Sequence, residues 1–179
     1  MITKSTTDNI NVINKKYNLF QSAKNNLLQT NQSIIILNPC NNMNTFGAGF
    51  NKTIAQEFPI AKENYHMLGP TSIKNKLGYT QFVPVSINNK YKNQIIVANM
   101  ICQTGIVSEN NPRPFNYYYF GVCLSKVQDF IKEYKIHHDL DTVVYTQKTS
   151  HAITGANWSF VYEIILDVLK RPTYTIVYE

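Results

Sequence analysis

The feature that most constrains the fold is the run Ile34-Ile35-Ile36-Leu37, four large apolar residues in succession with no polar alternation. A strand that shows one face to water alternates, whereas a continuous apolar strand must be covered on both faces, as happens in the parallel sheets of α/β proteins. A second run, Ile95-Ile96-Val97-Ala98, has the same character. Both are far too short to cross a bilayer, so they are read as buried strands and no membrane partner is expected.

The rest of the chain alternates around these two anchors. Residues 9–14, 79–87, 142–146 and 174–178 read as further strands, with Pro84 confining the 79–87 strand to an edge or a bulge. Residues 20–28 read as a short helix with Phe20, Ala23, Leu27 and Leu28 inward. After a polar loop at 38–49, Phe50, Ile54, Ala55 and Phe58 share one helical face, and Pro59 either ends that helix or opens the next turn. From Tyr117, the positions Phe120, Cys123, Leu124, Val127, Phe130, Ile131 and Tyr134 recur at helical spacing. Trp158, Val161, Ile164, Ile165, Val168 and Leu169 mark a last helix, stopped by Pro172. This order implies an α/β chain with a mixed, mostly parallel sheet between helical layers, and ligands in such sheets collect beyond the carboxyl ends of the strands. With 179 residues, no internal repeat and no linker, one domain over 1–179 is expected, residues 1–8 being a flexible segment.

Charge and cysteine usage narrow the function classes. Seventeen basic against 11 acidic residues give +6, which favours anionic partners, yet the lysines are scattered and no basic patch is interleaved with aromatics, so nucleic acid is not the expected partner. Cys40, Cys102 and Cys123 are odd in number and lack metal-like spacing, and residues 1–10 lack an apolar signal core. A cytoplasmic location follows as the expectation, with no metal and no cofactor. Abundant Asn, Ile, Lys and Tyr fit an AT-rich genome such as that of a low-GC bacterium, a virus or a phage; for a virus the location would be the host cytoplasm.

The informative loop is Asn38-Pro39-Cys40-Asn41 through Phe46-Gly47-Ala48-Gly49-Phe50, between a buried strand and a helix. Glycines at 47 and 49 let backbone amides approach a bulky anion, and the helix that follows adds the positive end of its dipole. Asn38 and Asn41 can fix sugar hydroxyls, since a carboxamide both donates and accepts. A plain turn with an Asn-rich linker remains open on this evidence alone, because a lone Gly-x-Gly is weak. Cys40 reads as a small buried thiol in preference to a nucleophile, Trp158 as packing, and His137 and His138 as a polar connector. No partner is evident for His66, and Phe115 or one of Tyr117, Tyr118 and Tyr119 is a candidate to stack on a base.

The segment from Asn38 to Phe50, continuing to Phe58-Pro59, resembles the macro domain signature of a strand-end Asn-x-x-Asn, a Gly-x-Gly turn, a helix and a Phe-Pro break. The resemblance continues in Val97-Ala98-Asn99-Met100-Ile101-Cys102-Gln103-Thr104-Gly105-Ile106, which looks like the branch that includes ADP-ribose-1″-phosphate phosphatases, and in Arg113-Pro114-Phe115-Asn116-Tyr117 and Asn157-Trp158. It spans about residues 17–178 and implies a three-layer α/β/α macro domain that binds ADP-ribose or a related adenine nucleotide. It also implies that Asn41 faces the distal ribose and that the amides of Gly47, Ala48 and Gly49 wrap the diphosphate. Asn18, in Tyr17-Asn18-Leu19-Phe20, occupies the position of an Asp that holds the adenine amino group, and its carbonyl oxygen would accept that bond instead. The implied ligand contacts are Asn18, Asn38, Asn41, Phe46, Gly47, Ala48, Gly49, Phe50 and Gln103, joined by the second-loop residues Ser150, His151, Ala152, Ile153, Thr154 and Gly155.

The second loop departs from the family pattern. Ser150-His151-Ala152-Ile153-Thr154-Gly155-Ala156 has lost two or three glycines of the family's glycine-rich stretch, and Thr154 stands near the Asp that deacylating macro enzymes use. Two functions follow: a binding module that captures ADP-ribose or an ADP-ribose-derived signal nucleotide, and a hydrolase acting on ADP-ribose-1″-phosphate or an ADP-ribosyl linkage. Were the source a phage, sequestering a defence nucleotide would be a natural use of the first. The second needs a base, for which His151 is the candidate with Asn41 assisting; His151 is also readable as a phosphate contact or a surface residue. As a cleft residue with little share in the core, Asn41 is expected to tolerate Ala with the melting temperature nearly unchanged.

Overall fold

A computed structural model of the chain describes residues 10–13, 17–148, 154–170 and 174–179. Six strands form one sheet: β1 (Ile10–Ile13), β2 (Ser33–Asn41), β3 (Thr80–Ile87), β4 (Gln94–Gln103), β5 (Thr142–Gln147) and β6 (Tyr174–Tyr178), in the order β1-β6-β5-β2-β4-β3. All neighbouring pairs are parallel except β3 with β4. The helices are α1 (Leu19–Gln29), α2 (Gly49–Glu57), α3 (Pro59–Met67), α4 (Tyr117–His138) and α5 (Trp158–Val168), with a short 3-10 turn at Ser72–Asn75.

The apolar run of β2 serves two cores at once. Ile35 and Leu37 pack with Phe120, Leu124, Val127, Val161 and Ile165 on the α4–α5 side, while Ile34 and Ile36 pack with Phe20, Leu27, Ile54 and Tyr65 on the side of α1, α2 and α3. Strand β4 does the same, Ile96 and Ala98 facing one way and Ile95 and Val97 the other. This two-sided burial gives the three-layer α/β/α architecture that continuous strands demand. Pro84 sits where the edge strand β3 slips register against β4, between Pro84 and Ser86, so its missing N–H removes nothing from a central ladder. Phe58 ends α2 and Pro59 opens α3, a position where the absent N–H is harmless.

The inward face of α1 differs from the expectation at one position. Leu19, Phe20, Ala23 and Leu27 are buried, but Leu28 is 68% exposed, because the helix starts one residue earlier and Leu19 fills the core position. Pro172 lies outside the described residues, as do residues 1–8.

A buried amide cluster fixes how β2 and β4 meet. Asn38 and Asn99 are partners in the ladder, both fully buried; Asn38 Nδ2 donates to Asn99 Oδ1 at 2.8 Å. Asn99 Nδ2 in turn donates to the Ala61 carbonyl at 3.0 Å and to Gln81 Oε1 at 3.1 Å, which ties the sheet to α3 and to β3. Removing one member strands the others without water, and each orphaned group costs about 1–3 kcal/mol. Asn99→Ala should therefore lower the unfolding free energy by about 3 kcal/mol. Urea denaturation checks this, and a loss below about 1 kcal/mol would mean that the cluster does not hold the register.

Candidate functional site

Strands β2, β4, β5 and β6 point their carboxyl ends the same way, finishing at Asn41, Gln103, Gln147 and Tyr178. Over that edge lies a cleft of about 920 Å³. Tyr17, Asn18, Leu19 and Phe20 supply one part of its wall, Thr45 and the run Gly47 to Asn51 another, and Gln103, Ile106 and Val107 a third. Gln147, Lys148, Thr154 and Glu179 complete it, at and beyond the ends of β5 and β6. Phe20 and Phe50 stack with centroids 5.6 Å apart, giving the cleft an aromatic floor between two helix starts.

The first loop is shaped by Asn41. Its Nδ2 donates to the carbonyl and the Oγ1 of Thr45, both at 2.9 Å, and its Oδ1 accepts from the Met43 N–H at 2.9 Å. The hydroxyl of fully buried Tyr65 donates to the Asn41 carbonyl at 2.8 Å, with Oδ1 at 2.9 Å. Asn42 then joins this loop to the next: its Oδ1 accepts from the Gly105 N–H at 2.9 Å and its own N–H donates to the Gln103 carbonyl at 3.0 Å. These two bonds tie the loops to each other.

What this loop presents is a bare helix start. Asn18, Asn116 and Asn157 cap α1, α4 and α5 with their side chains, but α2 begins after Ala48, which has no side chain to offer, and no side-chain cap bond is made. Its first-turn amides and the positive end of its dipole consequently open onto the cleft. Gly49 takes a left-handed φ of 53°, a turn that glycine makes freely. A Cβ added to Gly47 would meet no protein atom within 4 Å, so the space in front of that backbone belongs to the cleft. Open first-turn amides beside glycines are an arrangement that can receive an anion.

Several of the residues singled out in the sequence are brought together at this cleft. Asn18, Asn41, Gly47, Ala48, Gly49, Phe50, Gln103 and Thr154 all line the cleft. Asn18 does so with its carbonyl oxygen already committed, accepting from the N–H of Phe20 at 2.9 Å and of Gln21 at 3.2 Å as the N-cap of α1. Because both partners are N–H donors, the amide orientation is fixed, and the group left for the cleft is the Nδ2 donor, the reverse of the polarity expected.

Other expectations are corrected. Asn38 is fully buried in the amide cluster and Phe46 is 4% exposed, packed against Tyr65 and His66 with centroids 5.1 and 6.4 Å away; neither lines the cleft. Gly155 turns away from the cleft, its backbone pressed so closely on Pro112 and Arg113 that a Cβ would lie 2.5 Å from the Pro112 carbonyl oxygen. Phe115 and Tyr117 belong to a separate cavity, and Tyr118 is 73% exposed; the rings that line the cleft are those of Tyr17, Phe20 and Phe50. His66 has a partner after all, Nδ1 lying 3.0 Å from Asn44 Oδ1. Ser150, His151, Ala152 and Ile153 lie outside the described residues.

Cys40 is inert. It is fully buried, and burial pushes its thiol well above the ordinary value, with Cys123 adding to the shift. Burial does the same to Cys102, and pushes Cys123 up to about 11. No group of three or more His, Cys, Asp or Glu that could hold a metal occurs among the described residues.

Sequence reasoning missed Thr45, Asn51, Ile106, Val107, Lys148 and Glu179. Lys148 and Glu179, paired at 3.8 Å, follow directly on β5 and β6, so the rule that ligands sit beyond parallel strand ends would have found them. Ile106 and Val107 carried a signal too, an apolar pair in a polar loop, exposed to 55% and 38%.

Known structures share this fold. A protein of unknown function from Bacteroides thetaiotaomicron aligns with 24% identity over 93% of this chain and 96% of its own, with a TM-score of 0.71. A macrodomain protein from Streptomyces coelicolor aligns with 25% identity over 83% and 88%, with a TM-score of 0.62. Thermosipho africanus DarTG, solved in complex with ADP-ribose, aligns with 11% identity over 99% of this chain and 43% of its own, with a TM-score of 0.67. No family model matches the sequence, and no curated protein does.

The bonding of Asn41 overturns the expectation of a thermally silent substitution. Asn41→Ala removes the acceptor for the Met43 N–H and the donor to Thr45, and should lower the unfolding free energy by about 2 kcal/mol, seen as a fall of several degrees in melting temperature. An unchanged melting temperature would show that the loop holds its shape without it.

Proposed function

Starting from the premise that this chain has the macrodomain fold, we propose that it binds ADP-ribose or a related adenine nucleotide in the cleft, with the diphosphate held on the backbone amides of Gly47, Ala48 and Gly49 and on the start of α2. In this reading residues 1–179 form one macro domain. The observation that carries it is the uncapped start of α2 facing a cleft in which nothing stands before Gly47. Three other described helices close that end with an asparagine; α2 and α3 carry no side-chain cap, and of these two it is the start of α2 that lines the cleft. A helix start left bare beside glycines suits a bulky anion, and ADP-ribose offers two phosphates at the centre of an elongated molecule.

The remaining wall fits the flanking parts. Phe20, Phe50 and Tyr17 offer rings to an adenine, and Asn18 Nδ2 offers a donor to a ring nitrogen. Gln103, Asn51 and Thr45 bring polar groups that suit ribose hydroxyls, while Asn41 acts through the shape of the loop. Binding, as opposed to turnover, is the favoured activity. The described charged groups on the cleft wall, Lys148 and Glu179, are engaged with each other, and the amides and hydroxyls around them recognise without moving protons. Capture of a signalling nucleotide follows as the use.

Gly47→Val sets its Cβ in open space, where nothing beyond the neighbouring residues lies within 4 Å, and its two methyl groups project from there. Calorimetry with ADP-ribose should show saturable one-to-one binding by the natural chain and a loss of about tenfold to a hundredfold in the variant, the range that one or two charge-assisted bonds represent, with the melting temperature unchanged. Equal affinity in the variant would remove the diphosphate from that loop. Incubation with ADP-ribose-1″-phosphate should release no more than stoichiometric phosphate; steady release would replace capture by hydrolysis.

A further inference from the structure

The turn that gives Thr154 to the cleft gives Gly155 and Ala156 to a second cavity, of about 350 Å³. The residues that matter there are Arg113, Tyr117, Trp158 and Phe160. Nothing in the reading of the main cleft uses them.

The cavity is built with care. Gly155 adopts φ +67°, and its backbone lies so close to the backbone of Pro112 and Arg113 that a Cβ would be 2.5 and 2.6 Å from their atoms, which holds the Arg113 backbone against this turn. The Tyr117 hydroxyl accepts the Asn157 N–H at 2.7 Å, fixing the ring, and Phe160 meets Tyr117 edge-on with centroids 5.7 Å apart and planes at 83°. Trp158 is half-buried against the core. Phe160 is 57% exposed, a large apolar side chain left in water. The Arg113 side chain makes no ion pair or hydrogen bond among the described residues, although the structure pairs lysines elsewhere.

Arg113, which makes no described ion pair or hydrogen bond, lines one cavity with three aromatic residues, and that set has a definite complement. A phosphate takes the guanidinium fork in two parallel bonds, and a flat heterocycle takes the ring faces. A simple anion would use only the arginine. The volume falls at the low end of the range of roughly 300–1,000 Å³ typical of small-molecule sites. We infer that this cavity is a second nucleotide site, taking one nucleoside monophosphate unit with its phosphate on Arg113 and its base against Tyr117, Trp158 and Phe160. The inference goes beyond the cleft reading and does not depend on it.

Trp158 is the only tryptophan in the chain, so its fluorescence reports this cavity directly. Titration with AMP, with UMP and with a short single-stranded oligothymidylate should give saturable quenching at micromolar to millimolar ligand; free nucleotides alone or the oligomer as well distinguish a soluble ligand from a nucleotide within a strand. Inorganic phosphate and free adenosine are the controls and should leave the signal unchanged at the same concentrations. Arg113→Gln should weaken the response about tenfold or more, and Phe160→Ala should weaken it too; both side chains are exposed, so both variants should melt like the natural chain. Gly47→Val should keep the full response. No saturable quenching with any of the three nucleotide ligands, an equal response to phosphate alone, no effect of Arg113→Gln, or loss of the response in Gly47→Val would each overturn the assignment; the last would mean that the tryptophan senses the cleft.

Discussion

The site depends on the way the side chain of Asn41 is spent. A residue at the end of a buried parallel strand is well placed to touch a ligand, yet both ends of this amide hold protein: Thr45 and Met43 in the loop ahead, and Tyr65 from α3 beneath. That bracing sets the path of residues 41–48 and so the direction from which α2 starts. The consequence is a helix whose first amides face outward with no cap, under a glycine with free space before it. In the proposed reading recognition falls to backbone amides, which among point substitutions only proline removes, while the side chains of the loop keep the backbone in place.

The two-layered use of asparagine runs through the molecule. Asn38 and Asn99 lock the central strands inside the core, Asn42 joins the two cleft loops, and Asn18, Asn116 and Asn157 cap helices. Asn38 donates to the side chain of Asn99, and each of the others bonds backbone groups that would otherwise be orphaned. At the start of α2, which lines the cleft without a side-chain cap, the first-turn donors are left open.

Much of this was legible in the sequence. The unbroken run at 34–37 demanded a strand covered on both faces, and the spacing after Tyr117 gave α4, because both patterns are set by local geometry. The Gly47-Ala48-Gly49 turn was legible for the same reason: it lies within one strand-loop-helix unit. The misassigned residues were those whose fate depends on a partner distant in sequence. Nothing local distinguishes Asn38, bonded to Asn99 across the sheet, from Asn41, three residues on and at the cleft. Phe46 reads as a ligand contact until Tyr65 is seen to cover it, and Leu28 reads as core until Leu19 is found in its place. Arg113 and Phe160, 47 positions apart, meet only after α5 docks beside α4.

The central claim is that backbone amides at the start of α2 hold an anionic ligand. Amide-resolved NMR during titration with ADP-ribose tests it most directly. The account predicts that the largest shifts, consistent with new hydrogen bonds, fall on the amides of residues 47–51 and saturate together. Largest shifts elsewhere, with those amides unmoved, would contradict it.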